Sequence, residues 1–455
     1  MKQDVAKIGT APVETVSKPL GRVAHSPWQQ RLMTFAVVAG PGLIVMTSDN
    51  DAGAVSTYVQ AGAQYGLHLL WIIVFLLPVT YFIQEMVVRL GIVTGEGHAA
   101  MIYRRFGKWW GVFSLFDLLL VNFLTLVTEF ACIALAARSA GIPPQIGVPL
   151  AAVALMALVL TGSYRRWERV TVILCLLDLT WLILAFVWHT PAKAVLLNTF
   201  VPDIPPGGIT GSLVFMIIAI VGTTIAPWQL FFQQSCVADK KLRFSQLKYA
   251  RLDTFIGAIV VIAVAACMML AGNAAKTHGL VWVDPDAVKA NHPNLVSDPG
   301  QMAVALEPIF GKFAKNAILL LMVNAAILGS TAISLASSWA YGEVKGWPSS
   351  LQHKFTQAPR FYGFYVVSIA VAGGLVLIPR APLQLIILSV QVLAGIMLPS
   401  AIIFLQLLLN DRALMGDQHV NQTWNNWVNW IIIIVLFALS MILAAQVMVP
   451  GLFPS

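Results

Sequence analysis

An apolar run near the start of this chain, otherwise long enough to cross a lipid bilayer, is interrupted by Thr47-Ser48-Asp49-Asn50-Asp51-Ala52-Gly53-Ala54. The interruption places two carboxylates, Asp49 and Asp51, near the middle of the run. A charged side chain at that depth is costly unless it faces protein, water or an ion. We therefore expect these carboxylates to mark a functional site, and a cation is the partner that their charge favours.

The composition indicates that the rest of the chain is also surrounded by lipid. Hydrophobic residues make up 58% of the 455 residues and charged residues only 11%. Apolar stretches of about twenty residues recur along the whole length, which is typical of a polytopic helical membrane protein. The net charge of +8 does not indicate nucleic-acid binding, because the basic residues lie in short loops and form no stripe with interleaved aromatic residues.

Hydropathy, with breaks placed at Gly, Pro and charge clusters, predicts about eleven transmembrane helices. The predicted spans are residues 32–59, 67–90, 109–139, 145–162, 169–189, 210–238, 252–273, 313–342, 360–379, 383–409 and 426–449. The longest loop between them, 274–312, shows no periodicity and is interpreted as a surface connection.

The distribution of basic residues predicts the orientation. Of the 28 Lys and Arg residues, 21 fall in segments on the side of the N-terminus and 7 on the other side. The positive-inside rule then places the N-terminus in the cytoplasm and the C-terminus outside a plasma or inner membrane. Residues 1–31 lack an apolar core and a small-residue cleavage site, so they are interpreted as a cytoplasmic tail and not as a signal peptide.

A second interruption lies five spans after the first. Pro227 stands in the middle of the sixth span, within Gly222-Thr223-Thr224-Ile225-Ala226-Pro227-Trp228-Gln229, where it removes a backbone donor. Paired interrupted helices in corresponding positions of two inverted halves point to a transporter with a site at the membrane midplane. The sequence thus predicts a 5+5 inverted repeat, with residues 32–209 as the first repeat, 210–409 as the second, and 410–455 as a loop and an eleventh span.

Several segments resemble the NRAMP divalent-metal transporters. In the first span these are Gly40-Pro41-Gly42, Asp51-Ala52-Gly53-Ala54 and Gln60-Ala61-Gly62-Ala63-Gln64-Tyr65-Gly66, and in the sixth Ala226-Pro227-Trp228-Gln229-Leu230-Phe231-Phe232-Gln233. Gln391-Val392, Leu398-Pro399 and Asp411-Arg412-Ala413-Leu414-Met415-Gly416 are also similar to the family pattern. The resemblance implies a leucine-transporter-like fold with broken helices 1 and 6 and a metal ion as the substrate.

The departures from that pattern point to one branch of the family. Asp51 keeps the carboxylate linked to metal binding, but Ala54 stands where the family has a liganding asparagine and Ala226 where it has a methionine. Trp228 and Gln233 replace the two histidines associated with proton movement. These substitutions resemble the NRAMP-related magnesium transporters, whose wider site accepts Mg²⁺ with much of its hydration shell and without coupled protons.

The predicted site residues fall into three groups. The first group would contact the ion and comprises Asp51, Ala54, Thr223, Ala226 and Gln391. The second group would surround its water shell or the vestibule and comprises Asp49, Asn50, Thr224, Gln229 and Gln233. Glu129 in the third span is a possible proton carrier. Alternatives stay open for some of them, since Gln391 could join two helices and Asn50 or Thr224 could satisfy broken backbone.

Three functional hypotheses follow. The preferred one is a carrier that moves partly hydrated Mg²⁺ into the cytoplasm by alternating access, without proton coupling. The second is a proton-coupled Mn²⁺ or Fe²⁺ transporter, and the third is an amino-acid transporter of the same fold. No nucleophile elbow, P-loop or HExxH pair supports an enzyme. We expect no cofactor, no nucleic acid and no obligate protein partner, only the metal substrate and the bilayer.

Overall fold

The computed structural model describes residues 27–283, 294–379 and 381–448, which are almost entirely helical. The helices of the N-terminal half are α1 (Pro27–Val38), α2 (Pro41–Ser48), α3 (Ala52–Tyr65), α4 (Leu70–Thr94), α5 (His98–Phe106), α6 (Lys108–Ser139), α7 (Pro144–Leu160), α8 (Tyr164–Asp178), α9 (Thr180–Val187) and α10 (Ala192–Phe200). Helix α1, up to residue 37, belongs to a separate unit, and the architecture below concerns residues from 38 onward.

The described residues of the C-terminal half form nine further α-helices. They are α11 (Gly211–Thr224), α12 (Pro227–Lys240), α13 (Leu247–Thr277), α14 (Pro299–Ala305), α15 (Glu307–Lys345), α16 (Pro359–Val376), α17 (Leu383–Leu409), α18 (Arg412–Met415) and α19 (Thr423–Met448). Helix α15 is kinked at Gly311, whose φ of 82° lies in the left-handed region that glycine tolerates.

The prediction of about eleven spans is confirmed. Nine helical stretches of the described residues are long and apolar enough to cross a membrane. Helix α7, with 17 apolar residues, and the broken pair α2–α3 account for the other two. Predicted and observed spans differ mostly by a few residues at their ends, but the first begins at Pro41 and not at residue 32, because the chain leaves helical geometry at Gly40 (φ 142°).

Both predicted breaks are present. Helix α2 ends at Ser48 and α3 begins at Ala52, because Asp49, Asn50 and Asp51 are short polar residues that compete for backbone hydrogen bonds and favour helix caps. Helix α11 ends at Thr224, Ile225 and Ala226 are extended, and Pro227 opens α12 at a position that needs no N–H donor. Each of the two interrupted spans therefore consists of two half-helices, α2 with α3 and α11 with α12.

Glycine allows α3 to lie directly against α13. A Cβ atom at Gly272 would overlap the carbonyl oxygen of Val59 and lie 2.7 Å from the backbone nitrogen of Ala63. A Cβ atom at Gly62 would in turn overlap the carbonyl oxygen of Met269. Close backbone approach through small residues is the usual way in which membrane helices gain packing energy. This contact fixes the half-helix that carries Asp51 at its N-terminal end.

The interpretation of residues 274–312 as an irregular surface connection was wrong in part. Helix α13 continues to Thr277, α15 already begins at Glu307, and α14 lies between them. Two short strands, Val281–Trp282 and Leu295–Val296, pair in parallel. The side chain of Asp298 caps α14 by accepting a hydrogen bond from the backbone N–H of Gln301 at 2.9 Å. These elements are too short to produce a periodic pattern in the sequence. Residues 284–293 lie outside the described part.

Replacing Gly272 with alanine should destabilise the protein, because the added methyl group meets backbone atoms that cannot rotate away. Overpacking of this kind costs about 1–3 kcal/mol. The matched control is Gly363→Ala in α16, where a Cβ atom meets nothing within 4 Å. Thermal unfolding in detergent should show a lower midpoint for Gly272→Ala and an unchanged or higher one for the control. Equal midpoints would mean that α3 and α13 are not held at this distance.

Candidate cation site at the broken helices

Asp51 is the N-cap of α3. Its side chain accepts a hydrogen bond from the backbone N–H of Ala54 at 2.9 Å. Glu129 of α6 reaches the same helix end, where its Oε2 atom accepts the N–H of Ala52 at 3.1 Å. The N-terminus of a helix carries partial positive charge and unpaired donors, so two carboxylates there are favourably placed. The helix end thus gathers acidic side chains in the middle of the bundle.

Asp49 lies at the other side of the same break, at the C-terminal end of α2. Its Oδ1 atom accepts a hydrogen bond from the side-chain amide of Gln229 in α12. The Oε1 atom of Gln229 accepts one from Gln84 of α4 at 2.8 Å. The second carboxylate oxygen of Asp49 is buried and has no partner among the described residues. Asp49 therefore connects the first break to the second through one glutamine.

The three carboxyl groups are buried without a basic partner. Asp49, Asp51 and Glu129 are 1%, 2% and 0% exposed, and Asp49 and Glu129 each interact electrostatically with Asp51. None of the ion pairs in the described part of the chain involves any of them. Buried carboxylates are normally paired or bound to a cation. The arrangement is therefore suited chemically to holding positive charge.

The second break supplies neutral oxygen atoms. Because Pro227 has no N–H, the carbonyl of Thr223 cannot make the usual helical hydrogen bond, and the Thr223 hydroxyl is also buried without a described partner. Thr224 differs, since its hydroxyl donates to the carbonyl of Ile220 at 2.6 Å and is paired with the hydroxyl of Tyr58 at 2.7 Å. The hydroxyl of Thr224 therefore already has partners within the protein, unlike that of Thr223.

The other predicted site residues lie at or near the two breaks. The side chain of Gln391 in α17 lies against Gly53, where its amide nitrogen has no described partner. Ala54 and Ala226 are buried and contribute only methyl groups. Asn50 donates weakly to the carbonyl of Val261 at 3.4 Å, and its own side-chain oxygen is unpaired.

Gln229 and Gln233, which the sequence groups together, have different partners. Gln229 faces Asp49, whereas the side-chain amide of Gln233 donates to the hydroxyl of Thr254 in α13 at 3.1 Å. Gln84 and Tyr58, which are absent from the predicted site residues, both reach the broken helices. Their only signal in the sequence is that they are polar residues inside apolar spans.

No group of three or more His, Cys, Asp or Glu side chains arranged to hold a metal ion is found among the described residues. A cation between the breaks would therefore have few direct carboxylate ligands. The remaining oxygen atoms around it would come from threonine, asparagine, glutamine and backbone carbonyl groups, which suit hard cations.

The sequence between residues 42 and 446 matches the profile of the family described as "Natural resistance-associated macrophage protein-like". The chain belongs to this Nramp family. The divalent metal cation transporter MntH of Staphylococcus saprophyticus is 25% identical to it, in a match that covers 95% of this chain and 98% of the relative.

Solved structures agree with the fold. The manganese transporter of Eremococcus coleocola, which is 21% identical, has a TM-score of 0.72 over 97% of this Nramp protein and 92% of its own chain. The transporter MhsT, solved with L-phenylalanine, has a TM-score of 0.56 at 15% identity over 88% and 98% of the two chains. These likenesses confirm the predicted leucine-transporter-like fold.

A cluster of polar contacts holds the N-terminal end of α2. Asp253 of α13 accepts hydrogen bonds from the backbone N–H groups of Gly40 at 3.2 Å, Gly42 at 2.7 Å and Leu43 at 3.3 Å. The ammonium group of Lys240 donates to the carbonyl groups of residues 38 and 39 and to Glu168 of α8 at 2.6 Å. We name these three side chains, Glu168, Lys240 and Asp253, the α2 clamp. They tie a half-helix of eight residues to three other helices.

The far end of α3 faces a cavity of about 340 Å³ between α3, α11 and α17. Its polar lining is neutral and includes Gln60, Gln64, Ser212 and Gln384. Gln384 donates to Gln60 at 3.0 Å, which joins α17 to α3 across the cavity. The α2 clamp and this amide pair thus lie at opposite ends of the broken first span.

Weakening the α2 clamp should loosen α2. The thiol of Cys175 in α8 accepts a hydrogen bond from the hydroxyl of Thr47 at 2.6 Å and is 2% exposed, so it reports the position of α2. In a variant that keeps Cys175 but lacks Cys132, Cys236 and Cys267, we expect Asp253→Asn to accelerate labelling of Cys175 by a small thiol reagent severalfold. The amide retains a hydrogen-bonding oxygen but loses the charge that favours the helix N-terminus.

The control for this experiment is Asp298→Asn, which alters another helix cap on α14. It should leave the labelling rate of Cys175 unchanged. If Asp253→Asn labelled no faster than the control, the clamp would not restrain α2.

Proposed function

We propose that this Nramp protein is a secondary carrier for divalent metal cations that moves Mg²⁺, partly hydrated, into the cytoplasm by alternating access and without coupled proton movement. Its family and relatives named as divalent metal cation or manganese transporters support the divalent-cation part. The observation that carries the proposal is the set of buried carboxylates Asp49, Asp51 and Glu129, together with the buried Ala54 and Ala226, whose methyl side chains offer no ligand atom.

Hydration energy favours magnesium at such a site. Mg²⁺ loses water reluctantly and usually keeps several water molecules while it uses one or two carboxylates. A thioether would favour softer ions such as Mn²⁺, and Ala226 offers none. Asp51 would supply the principal charge, while Asp49, Thr223 and Gln391 would accept or donate hydrogen bonds around the hydrated ion. The neutral amide and hydroxyl lining of the cavity at the end of α3 also suits a hydrated cation.

The second candidate is proton-coupled transport of Mn²⁺ or Fe²⁺. The names of the relatives favour manganese, and the contact of Glu129 with the first turn of α3 offers a carboxyl group that could carry a proton. The third candidate, amino-acid transport, rests on the fold shared with MhsT. Three buried acids argue against it, because a substrate carboxylate would be repelled by them.

The topology of the carrier is part of the proposal. The N-terminus would be cytoplasmic and the C-terminus external, in a plasma or inner membrane. Residues 32–209 and 210–409 would form the two repeats, flanked by the tail 1–31 and the C-terminal segment 410–455. Most of that tail lies outside the described residues.

Replacing Asp51 with asparagine should abolish divalent-cation uptake, because the site loses the fixed charge that compensates a dication in a low dielectric. Asp49→Ala should reduce uptake less. The matched control is Asp117→Asn, which makes the same change at an aspartate in α6 away from the breaks, where the carboxylate accepts a hydrogen bond from Ser400 at 2.5 Å. Uptake into proteoliposomes is measured with Mg²⁺ and with Mn²⁺, and folding is checked by size-exclusion chromatography. Full transport by folded Asp51→Asn protein would contradict the site assignment.

The absence of proton coupling is proposed from the polar side chains around Asn122, two turns before Glu129 in α6. A cavity of about 220 Å³ lies between α6, α15 and α16, and the polar part of its lining is neutral and includes Asn122, Ser334 and Ser337. Leucine and phenylalanine side chains form the rest of the lining. Asn122 donates to Ser337 at 2.9 Å. None of these side chains titrates near neutral pH, so they form no chain of proton carriers.

Uptake of Mg²⁺ should therefore leave the internal pH of proteoliposomes unchanged and vary little with external pH between about 6 and 8, where histidine would titrate. Buried His98 should not contribute, because burial lowers its pKa to about 4 and keeps the ring neutral throughout this range. The measurement combines metal influx with an internal pH dye. Acidification in step with metal uptake would favour the proton-coupled candidate and would assign the proton to Glu129.

Selectivity should change when ligands are added. Ala54→Asn with Ala226→Met would narrow the site and supply an amide oxygen and a soft sulfur atom, so the ion would have to arrive with less water. Losing water costs Mg²⁺ more free energy than it costs Mn²⁺. The ratio of Mn²⁺ to Mg²⁺ affinity, measured by calorimetry, should therefore rise about tenfold or more.

The control double variant, Ala54→Val with Ala226→Leu, adds bulk without ligand atoms and should weaken binding of both ions. A ratio that stays constant in the Asn and Met variant would remove the main physical support for magnesium.

A further inference from the structure

A cavity of about 560 Å³ lies between the C-terminal half of α4 and the N-terminal end of α13, next to the segment that leads into α19. None of the predicted site residues lines it. Its walls combine the guanidinium groups of Arg89 and Arg251 with the aromatic rings of Tyr81, Phe82, Phe244 and Trp424. We name it the arginine cavity.

The arginine cavity has an excess of positive charge. Glu85 is shared by both arginines, at 3.3 Å from Arg89 and 2.6 Å from Arg251, so two guanidinium groups face one carboxylate. Arg89 is 6% exposed, and its Nε atom has no acceptor among the described residues. The side chain of Arg251 is 44% exposed. One unit of positive charge and several N–H donors therefore remain for a ligand.

The aromatic residues locate the arginine cavity at the surface of the bilayer. Trp424 and Phe244 are 50% and 49% exposed, and both lie at the ends of apolar spans. Aromatic side chains concentrate where membrane helices meet the headgroups. The cavity lies on the end of the bundle that the charge distribution predicts to be cytoplasmic, where basic pockets between helices bind anionic headgroups.

We propose that the arginine cavity binds the phosphate group of an anionic phospholipid. Arginine suits this ligand because its planar fork donates two parallel hydrogen bonds to phosphate oxygens. Arg251 would make the first contact, and the acyl chains would extend along the exposed apolar surface of α4 and α19. Glu85 limits the affinity, since its carboxylate repels the phosphate while it orients both arginines.

The lipid would strengthen the attachment of the last span. Only 22% of the apolar stretch of helix α19 is buried against the rest of the protein. Arg89 donates to the carbonyl of His419 at 2.8 Å and to the side chain of Asn421 at 2.7 Å, so the cavity wall joins α4 to the segment before α19. A phosphate shared by Arg89 and Arg251 would tie this segment to α13 as well.

The experiment titrates the full-length protein in detergent with phosphatidylglycerol, phosphatidylcholine or inorganic phosphate and counts bound ligand by native mass spectrometry. We expect phosphatidylglycerol to bind at least tenfold more tightly than phosphatidylcholine. Arg251→Gln should lower that affinity about tenfold, the loss of one charged hydrogen-bonding group. The matched control is Lys248→Gln, an exposed cation one turn away on the same helix that does not line the cavity, and it should bind as the wild type does.

Glu85→Gln tests the same proposal in the opposite direction, because removing the competing carboxylate should raise the affinity for phosphatidylglycerol. It keeps the test decisive if Arg251→Gln fails to fold. Equal binding of the two lipids, or equal losses in Arg251→Gln and Lys248→Gln, would overturn the proposal. Binding of inorganic phosphate as tight as that of phosphatidylglycerol would overturn the assignment to a lipid and indicate a soluble phosphate ligand.

Discussion

The N-terminus of α3 is the point on which the rest of this structure depends. A helix that begins inside a membrane protein exposes backbone N–H groups where no bulk water can satisfy them. Asp51 and Glu129 solve this by accepting the N–H groups of Ala54 and Ala52. The solution places carboxylates in an environment that strongly disfavours unpaired charge. In the proposed carrier a bound cation would relieve that cost, so the break that interrupts the helix would also favour binding of the substrate.

Much of the fold could be predicted from the sequence, because lipid imposes simple requirements. Apolar runs of about twenty residues must be helices, and the breaks are marked by cap-forming residues in the first span and by Pro227 in the sixth. The exception at residues 274–312 has a physical cause. Two-residue strands and a seven-residue helix depend on contacts between distant residues, such as the pairing of Val281 with Leu295, and leave no periodic pattern.

The site was less predictable than the fold, for a reason that Glu129 and Gln233 illustrate. Both are polar residues in apolar spans, and their periodicity alone does not say which neighbour they meet. Glu129 contacts α3 because α6 passes the break at that residue, whereas the side chain of Gln233 reaches Thr254 of α13. Such contacts depend on how helices rotate relative to one another. Glycine also matters here, because a Cβ atom at Gly53 would overlap the side chain of Gln391 and one at Gly329 would lie 2.7 Å from that of Glu129.

The short length of α2 connects the site to the α2 clamp. With eight residues and about 1.5 Å of rise per residue, α2 is only about 12 Å long. One end is held by Asp253 and Lys240, and the other carries Asp49, which reaches Gln229 across the bundle. A rigid rod of this length cannot tilt at one end without moving the other. In the proposed carrier, a cation that attracts Asp49 would therefore also act on the α2 clamp, and a change in the clamp would shift Asp49. The proposed cation site is in this way connected through α2 to the contacts of the α2 clamp.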